Sequence, residues 1–414
     1  MRWSELPKSA RYYILYHTMV APLLFTWYTI FYDLLEEGYT VLELGILFTA
    51  INVLSIPAKF LIGRYFTFHD VKKGLLFIDV LESTSLFFLY FATGSLAPLF
   101  VGISLLISDV AGTLYPLYQA YERAVYPEDR MKEALVWHMA LPEAAIVLSY
   151  PLLGYVFGVL CPSLNCVRNG FLAFAVADMM LALYILRFFQ PIILKEKGER
   201  ASVLEDLKAL AEVLRGKLRL YFAANMLYLL AWRFIPIFVV VNYIVEEYSG
   251  NLLHIALFEA SISLATVVSM FIVNRIPERY GFHTMMLSTM GVAVTTLIFY
   301  VKPPFEILLF LGFATRMFDS AWLVFNRNWL FKTISREEAA LVSTGISALN
   351  STVFLAMPLV TGALAAASPS LPYLAGFLLM TSTIPLLAKA QKKARIKVAS
   401  GSSTPDSRET GEQH

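Results

Sequence analysis

"NRIPERYGFH", residues 274–283, sets an acid, two arginines, a proline and a glycine between two long apolar runs. A second stretch, "GRYFTFHDVK" (63–72), occupies the same kind of place much earlier in the chain. If the two are copies, the chain is a duplicated bundle, and everything around them should repeat as well.

The surroundings are those of a membrane protein. Of 414 residues, 58% are hydrophobic and only 15% charged, and whole segments of about twenty residues are apolar all round rather than on one face, as helices in lipid are. Runs long enough to cross ~30 Å of hydrocarbon fall near 11–33, 41–63, 74–93, 97–119, 135–159 and 170–190, then near 218–243, 253–274, 284–301, 305–330, 340–363 and 370–388. The expected fold is therefore an all-α integral membrane protein of twelve transmembrane helices in two pseudo-symmetric halves of six. The first run follows Arg2, Lys8 and Arg11 but is too long for a signal-peptide core, so it is read as an uncleaved helix.

Basic residues orient the chain. With the N-terminus inside, only Arg168 and Lys302 lie outside and Lys59, Arg233 and Arg316 lie within spans; every other Lys and Arg is inside. The positive-inside rule then predicts a multi-pass protein of the cell membrane with both termini cytoplasmic. The formal net charge of +2 gives no reason to expect nucleic-acid binding. Cys161 and Cys166 share an outer loop and could be bonded or stay as thiols. The histidines and cysteines show no metal-ligand spacing and no nucleophile–base pattern appears, so neither a metal, a cofactor nor enzymatic activity is expected.

The expected organisation is an N-terminal half (1–192), a linker with an amphipathic helix (193–217), a C-terminal half (218–390) and a disordered cytoplasmic tail (391–414). In the linker, Ser202 and Glu205 form a capping box ahead of leucines at helical spacing. The repeat extends past the two loops. "LSYPLLG" (148–154) is echoed by "LAMPLVTG" (355–362), placing Pro151 opposite Pro358, and "YPEDRMKEAL" (126–135) is echoed by "ISREEAALV" (334–342). Three matches in one order at nearly one offset indicate a duplicated six-helix unit, with solute bound between the halves.

With twelve spans, a long central loop and this repeat, the chain resembles the major facilitator superfamily, whose loop signature runs roughly G-x-x-x-D-R-x-G-x-K/R. Glu278, Arg279 and Gly281 fall on its acid, arginine and second glycine, with Asn274 and His283 departing from it. In the first copy Gly63 and Lys72 match, while Thr67, Phe68 and Asp70 replace the acid, the arginine and the glycine. The resemblance implies a gating role for Gly63, Lys72, Glu278, Arg279 and Gly281, since small residues let helix ends approach and an acid near a helix N-terminus can pair with an arginine. It also implies a cavity lined by helices 1, 4, 7 and 10.

Ionisable groups in mid-membrane cost at least ~2.5–3.5 kcal/mol each, so each needs a reason. Asp109, Arg233, Arg316 and Asp319 lie on the cavity-type helices, and Glu143 on helix 5; these five are the candidates for substrate or proton binding. Arg316 and Asp319, three apart, could equally be an intrahelical ion pair. Asp79, Glu82 and Asp178 sit on helices expected to be peripheral; Glu259 is read as close to the outside and wet, and Asp33, Glu36 and Glu37 as an exposed cap. Pro151 and Gly154 match part of an antiporter motif and, with Pro358, are read as hinges; the same residues would also serve as a packing notch. The expected function is secondary active transport of a small organic solute by alternating access, coupled to protons and directed to efflux, in a monomer whose other partner is the lipid bilayer. The alternatives are uptake of an anionic solute held by the cavity arginines, and a membrane sensor or scaffold that does not transport.

Overall fold

The computed structural model describes residues 3–65, 70–193, 219–273, 275–333 and 355–401. Thr67, Phe68 and Asn274 of the loop motifs, the linker helix, the "ISREEAALV" segment and the tail beyond Gly401 lie outside them. The described residues are almost wholly helical: α1 (Lys8–Val20), α2 (Thr26–Glu36), α3 (Val41–Tyr65), α4 (Val71–Tyr90), α5 (Ala97–Gly112), α6 (Pro116–Val125), α7 (Met131–Tyr155) and α8 (Leu164–Phe188) form the first half. The second half comprises α9 (Arg219–Arg233), α10 (Ile237–Tyr248), α11 (Leu252–Val273), α12 (Gly281–Tyr300), α13 (Phe305–Thr333), α14 (Met357–Ala367) and α15 (Leu371–Gly401). The last helix runs past residue 390, where the sequence expects the tail to begin.

Among the described residues eight helices are long and apolar enough to cross a bilayer, or nine if α9 and α10, bent by 44°, count as one span. The count covers the described residues alone, and most of the expected eleventh span (340–363) lies outside them. α3 and α14 qualify only as shorter apolar helices, and α4 carries Asp79 and Glu82 beside Lys72 and Lys73. Proline sets the interruptions. Pro22 lies in the tight 3-10 turn Ala21–Phe25 between α1 and α2, Pro116 opens α6, and Pro236 caps α10. Each lacks the N–H that an unbroken helix would use.

The two halves meet along α7 with α11, α3 with α14, and α2 with α10. At the end of the bundle away from the chain termini they share one hydrophobic core, including Phe31 and Leu44 from the first half and Phe238, Ile255 and Phe258 from the second. Nearer the termini each half has its own core, around Tyr13 and Tyr121 in one and around Trp322 and Met285 in the other. Glycines make the shared end tight. A Cβ on Gly45 would lie 2.5 Å from the Pro358 carbonyl oxygen, and one on Gly154 2.5 Å from the Ala256 Cβ. Backbone can approach so closely only where a side chain is missing. Phe48 stacks on Phe238 with ring centroids 5.8 Å apart, closing the same end.

Cys161 and Cys166 are bonded to each other at this shared end. Nearby, Asp33 is buried and both it and Glu37 face the Arg168 guanidinium, so the acids read as an exposed cap are instead, Glu36 apart, tied to α8. The sequence could not show this, because the cation comes from a helix some 130 residues on.

Candidate functional site

A cavity of about 520 Å³ lies among the helices of the second half, with Tyr28 reaching it from the first. α2 contributes Tyr28, α9 Tyr228 and Arg233, α11 Phe258 and Glu259, and α13 Arg316 and Asp319. Apolar and aromatic side chains make most of the wall, the usual character of a small-molecule site.

Arg316 organises the polar part. Its Nε donates to the Thr266 Oγ1 at 3.0 Å and its Nη1 to the Asp319 Oδ2 at 3.0 Å, so the three-residue spacing on α13 does yield an ion pair. The other Asp319 oxygen accepts from the Tyr228 hydroxyl at 2.8 Å, and the Tyr228 ring stacks on Trp322 with centroids 3.6 Å apart. Asp319 is thus fixed from two sides while Arg316 keeps about a third of its side chain exposed to the cavity. Two further carboxylates lie within electrostatic reach of that guanidinium: Glu259, which faces the Tyr28 hydroxyl, and Glu143 of α7, which faces Ser263. Acids from both halves therefore surround one arginine.

The sequence candidates divide accordingly. Arg233, Arg316 and Asp319 line the cavity, and Glu143 stands behind its wall. Asp109 does not line it; its electrostatic neighbour is Tyr115 of the first half. Glu259, read as close to the outside and wet, is a half-buried group that lines the cavity. Its depth along α11 follows from sequence, but the direction in which it points depends on α2 packing against it.

The gating candidates show different uses. The Lys72 Nζ donates to the carbonyls of Leu186 and Phe189 at 2.9 and 2.8 Å, closing the end of α8 within the first half rather than spanning the halves. Asp70 caps α4, accepting from the Lys72 backbone N–H at 3.0 Å. Gly63 falls in the last turn of α3. Glu278 and Arg279 form a single 3-10 turn before α12, where Arg279 lies over the Tyr280 ring at 4.9 Å, and Gly281 starts α12 with Phe325 against it. Of the proposed hinges, Pro151 lies inside α7, Pro358 opens α14, and Gly154 is the notch that admits Ala256.

Similarity to solved structures decides the architecture. The chain superposes on the nucleoside transporter NupG with a TM-score of 0.63 at 13% identity, over 93% of this chain and 99% of that one. The fold is that of the major facilitator transporters. A bacterial homologue of the human lysosomal transporter Spinster, inward-facing and unoccupied, matches with a TM-score of 0.56 at 14% identity over 93% of this chain and 96% of that one. A POT family transporter in complex with a thioalcohol-conjugated peptide matches at 0.61 and 13% identity, over 97% and 99% of the two chains. No family model and no curated protein matches the sequence. The protein is a multi-pass membrane protein.

Proposed function

We propose that the protein is a secondary transporter that moves a small organic solute across the cell membrane by alternating access, with both termini cytoplasmic. The observation that carries this reading is the second-half cavity met by Tyr28 of the first half, where Arg316 has Asp319, Glu143 and Glu259 within electrostatic reach. A carboxylate that gains a proton on one side and loses it on the other can couple solute movement to the proton gradient, since one charge moved through 100 mV is worth ~2.3 kcal/mol. Asp319, Glu143 and Glu259 are the groups for that role.

The aromatic wall and the internally paired Arg316 favour a ring-bearing polar solute over a simple anion. An anionic solute would have to compete with Asp319 for the same guanidinium. A nucleoside is the first solute to test, given the name of one structural neighbour, and a dipeptide the second. Because Gly154 serves a helix crossing, α7 gives no separate support for efflux, and the proposal is for coupled transport in either direction.

The test is reconstitution of the full chain in liposomes with a pH-sensitive dye inside, followed by addition of uridine or a dipeptide. Solute-dependent proton movement that disappears in Asp319→Asn is expected. Solute flux unaltered by Asp319→Asn would remove this assignment of the site, and absence of any flux would favour the sensor reading.

A further inference from the structure

A second cavity, of about 290 Å³, lies wholly inside the first half, enclosed by α1, α2, α4, α5, α6 and α8. The sequence pattern left Asp79, Glu82 and Asp178 without a purpose, and all three line this space. Glu82 is held on both oxygens, by the Ser108 hydroxyl at 2.8 Å and the Tyr115 hydroxyl at 2.7 Å. Asp79 accepts from the Tyr16 hydroxyl on one oxygen, while its other oxygen has no hydrogen-bond partner among the described residues. Asp178 is the telling group. It is 5% exposed, its Oδ2 lacks a partner among the described residues, and its electrostatic neighbours are the two other acids.

Three carboxyls in one enclosed space repel one another, and a buried unpaired charge is costly. Neither lysine nor arginine is among the lining residues, and the basic group nearest to hand is the imidazole of His17. The site thus presents carboxyl acceptors with no lysine or arginine facing them. Among the described residues no grouping of these acids has the arrangement needed to hold a metal ion. Most of the remaining lining is aromatic and aliphatic, including Trp27, Tyr115, Tyr118 and Leu86, with the hydroxyls of Thr26, Ser85 and Ser104 among it. Ring faces attract an ammonium, and apolar walls suit the body that carries it. The volume lies just under the ~300–1,000 Å³ that houses drug-sized ligands, which selects a small occupant.

We propose that this cavity binds a small organic cation, an amine bearing one ring or a short apolar body, with Asp178 and Asp79 receiving the ammonium. The site is separate from the cavity of the second half and does not depend on the transport reading; a cation could regulate the protein from here or pass through it.

Phenethylamine is the probe, with 2-phenylethanol as its uncharged counterpart, and binding to the purified full chain is measured by calorimetry. Phenethylamine should bind and the alcohol should not. Asp178→Asn should weaken binding at least tenfold, and so should Leu86→Trp, which fills the space but keeps the acids; Asp319→Asn in the other cavity should leave affinity unchanged. Leu86→Trp decides the matter if Asp178→Asn does not fold. No binding of phenethylamine to the wild-type chain at millimolar concentration, equal affinity for the alcohol, or a loss confined to Asp319→Asn would each overturn the proposal.

Discussion

Replacing Gly45 with alanine tests whether the glycine crossing between α3 and α14 holds the halves together. The added Cβ would lie 2.5 Å from the Pro358 carbonyl oxygen and 3.2 Å from the Gly362 Cα, against the 3.4 Å at which ordinary contact begins. Both obstacles are backbone, so no rotamer change relieves them and the helices must separate by the better part of an ångström. Overpacking of this kind costs ~1–3 kcal/mol. If the halves part at this end during alternating access, the cost falls on the closed state alone, and the ratio of open to closed shifts by about 5–150-fold. Spin labels at Ser95→Cys and Ala367→Cys, both at exposed positions of opposite halves near this end, would report the separation without interference from the bonded native cysteines. Gly45→Ala should add a longer-distance population. Gly102→Ala, whose Cβ would meet nothing nearer than 3.7 Å, should not. Identical distance distributions for Gly45→Ala and the unaltered chain would refute the idea that this crossing latches the closed end.

Asp319→Ala removes the acceptor of both Arg316 and Tyr228. Breaking a buried pair costs ~3–5 kcal/mol, and the partial exposure of Arg316 puts the expected loss at the lower end; the melting temperature in detergent should fall, and adding Arg316→Met should restore part of it. Arg168→Gln leaves Asp33 and Glu37 facing each other without a cation and should lower the melting temperature by a similar free energy. Lys72→Met should cost about 1 kcal/mol of stability with solute flux intact, since the ammonium closes the end of α8; a selective loss of flux would return Lys72 to a gating role. Paired Cys161→Ser and Cys166→Ser substitutions should reduce stability by about 2 kcal/mol, the loop between them being short.

Much of the fold was legible because a bilayer demands long apolar helices. The site was legible only in part. Arg316 and Asp319 declared themselves by spacing on one helix, whereas Glu259 and Tyr28 come together from different halves. Asp79, Glu82 and Asp178 looked misplaced for the same reason: hydropathy gives the depth of a residue in the membrane but not the side of the helix that its neighbours cover. At Lys72 the loop motif leaves two uses open, because a basic residue near a helix terminus satisfies both a family pattern and the carbonyls of the adjacent helix.

The break between α9 and α10 at Pro236 divides one span between two loyalties. α9 leans on α15, while α10 presses Phe238 against Phe31 and Phe48 of the other half. The twelve residues of α10 make a lever ~18 Å long, so a ten-degree swing about the proline carries its far tip ~3 Å, roughly one water diameter. Were that short rod to swing over the cavity of the second half, the larger bodies on either side could keep their own cores undisturbed.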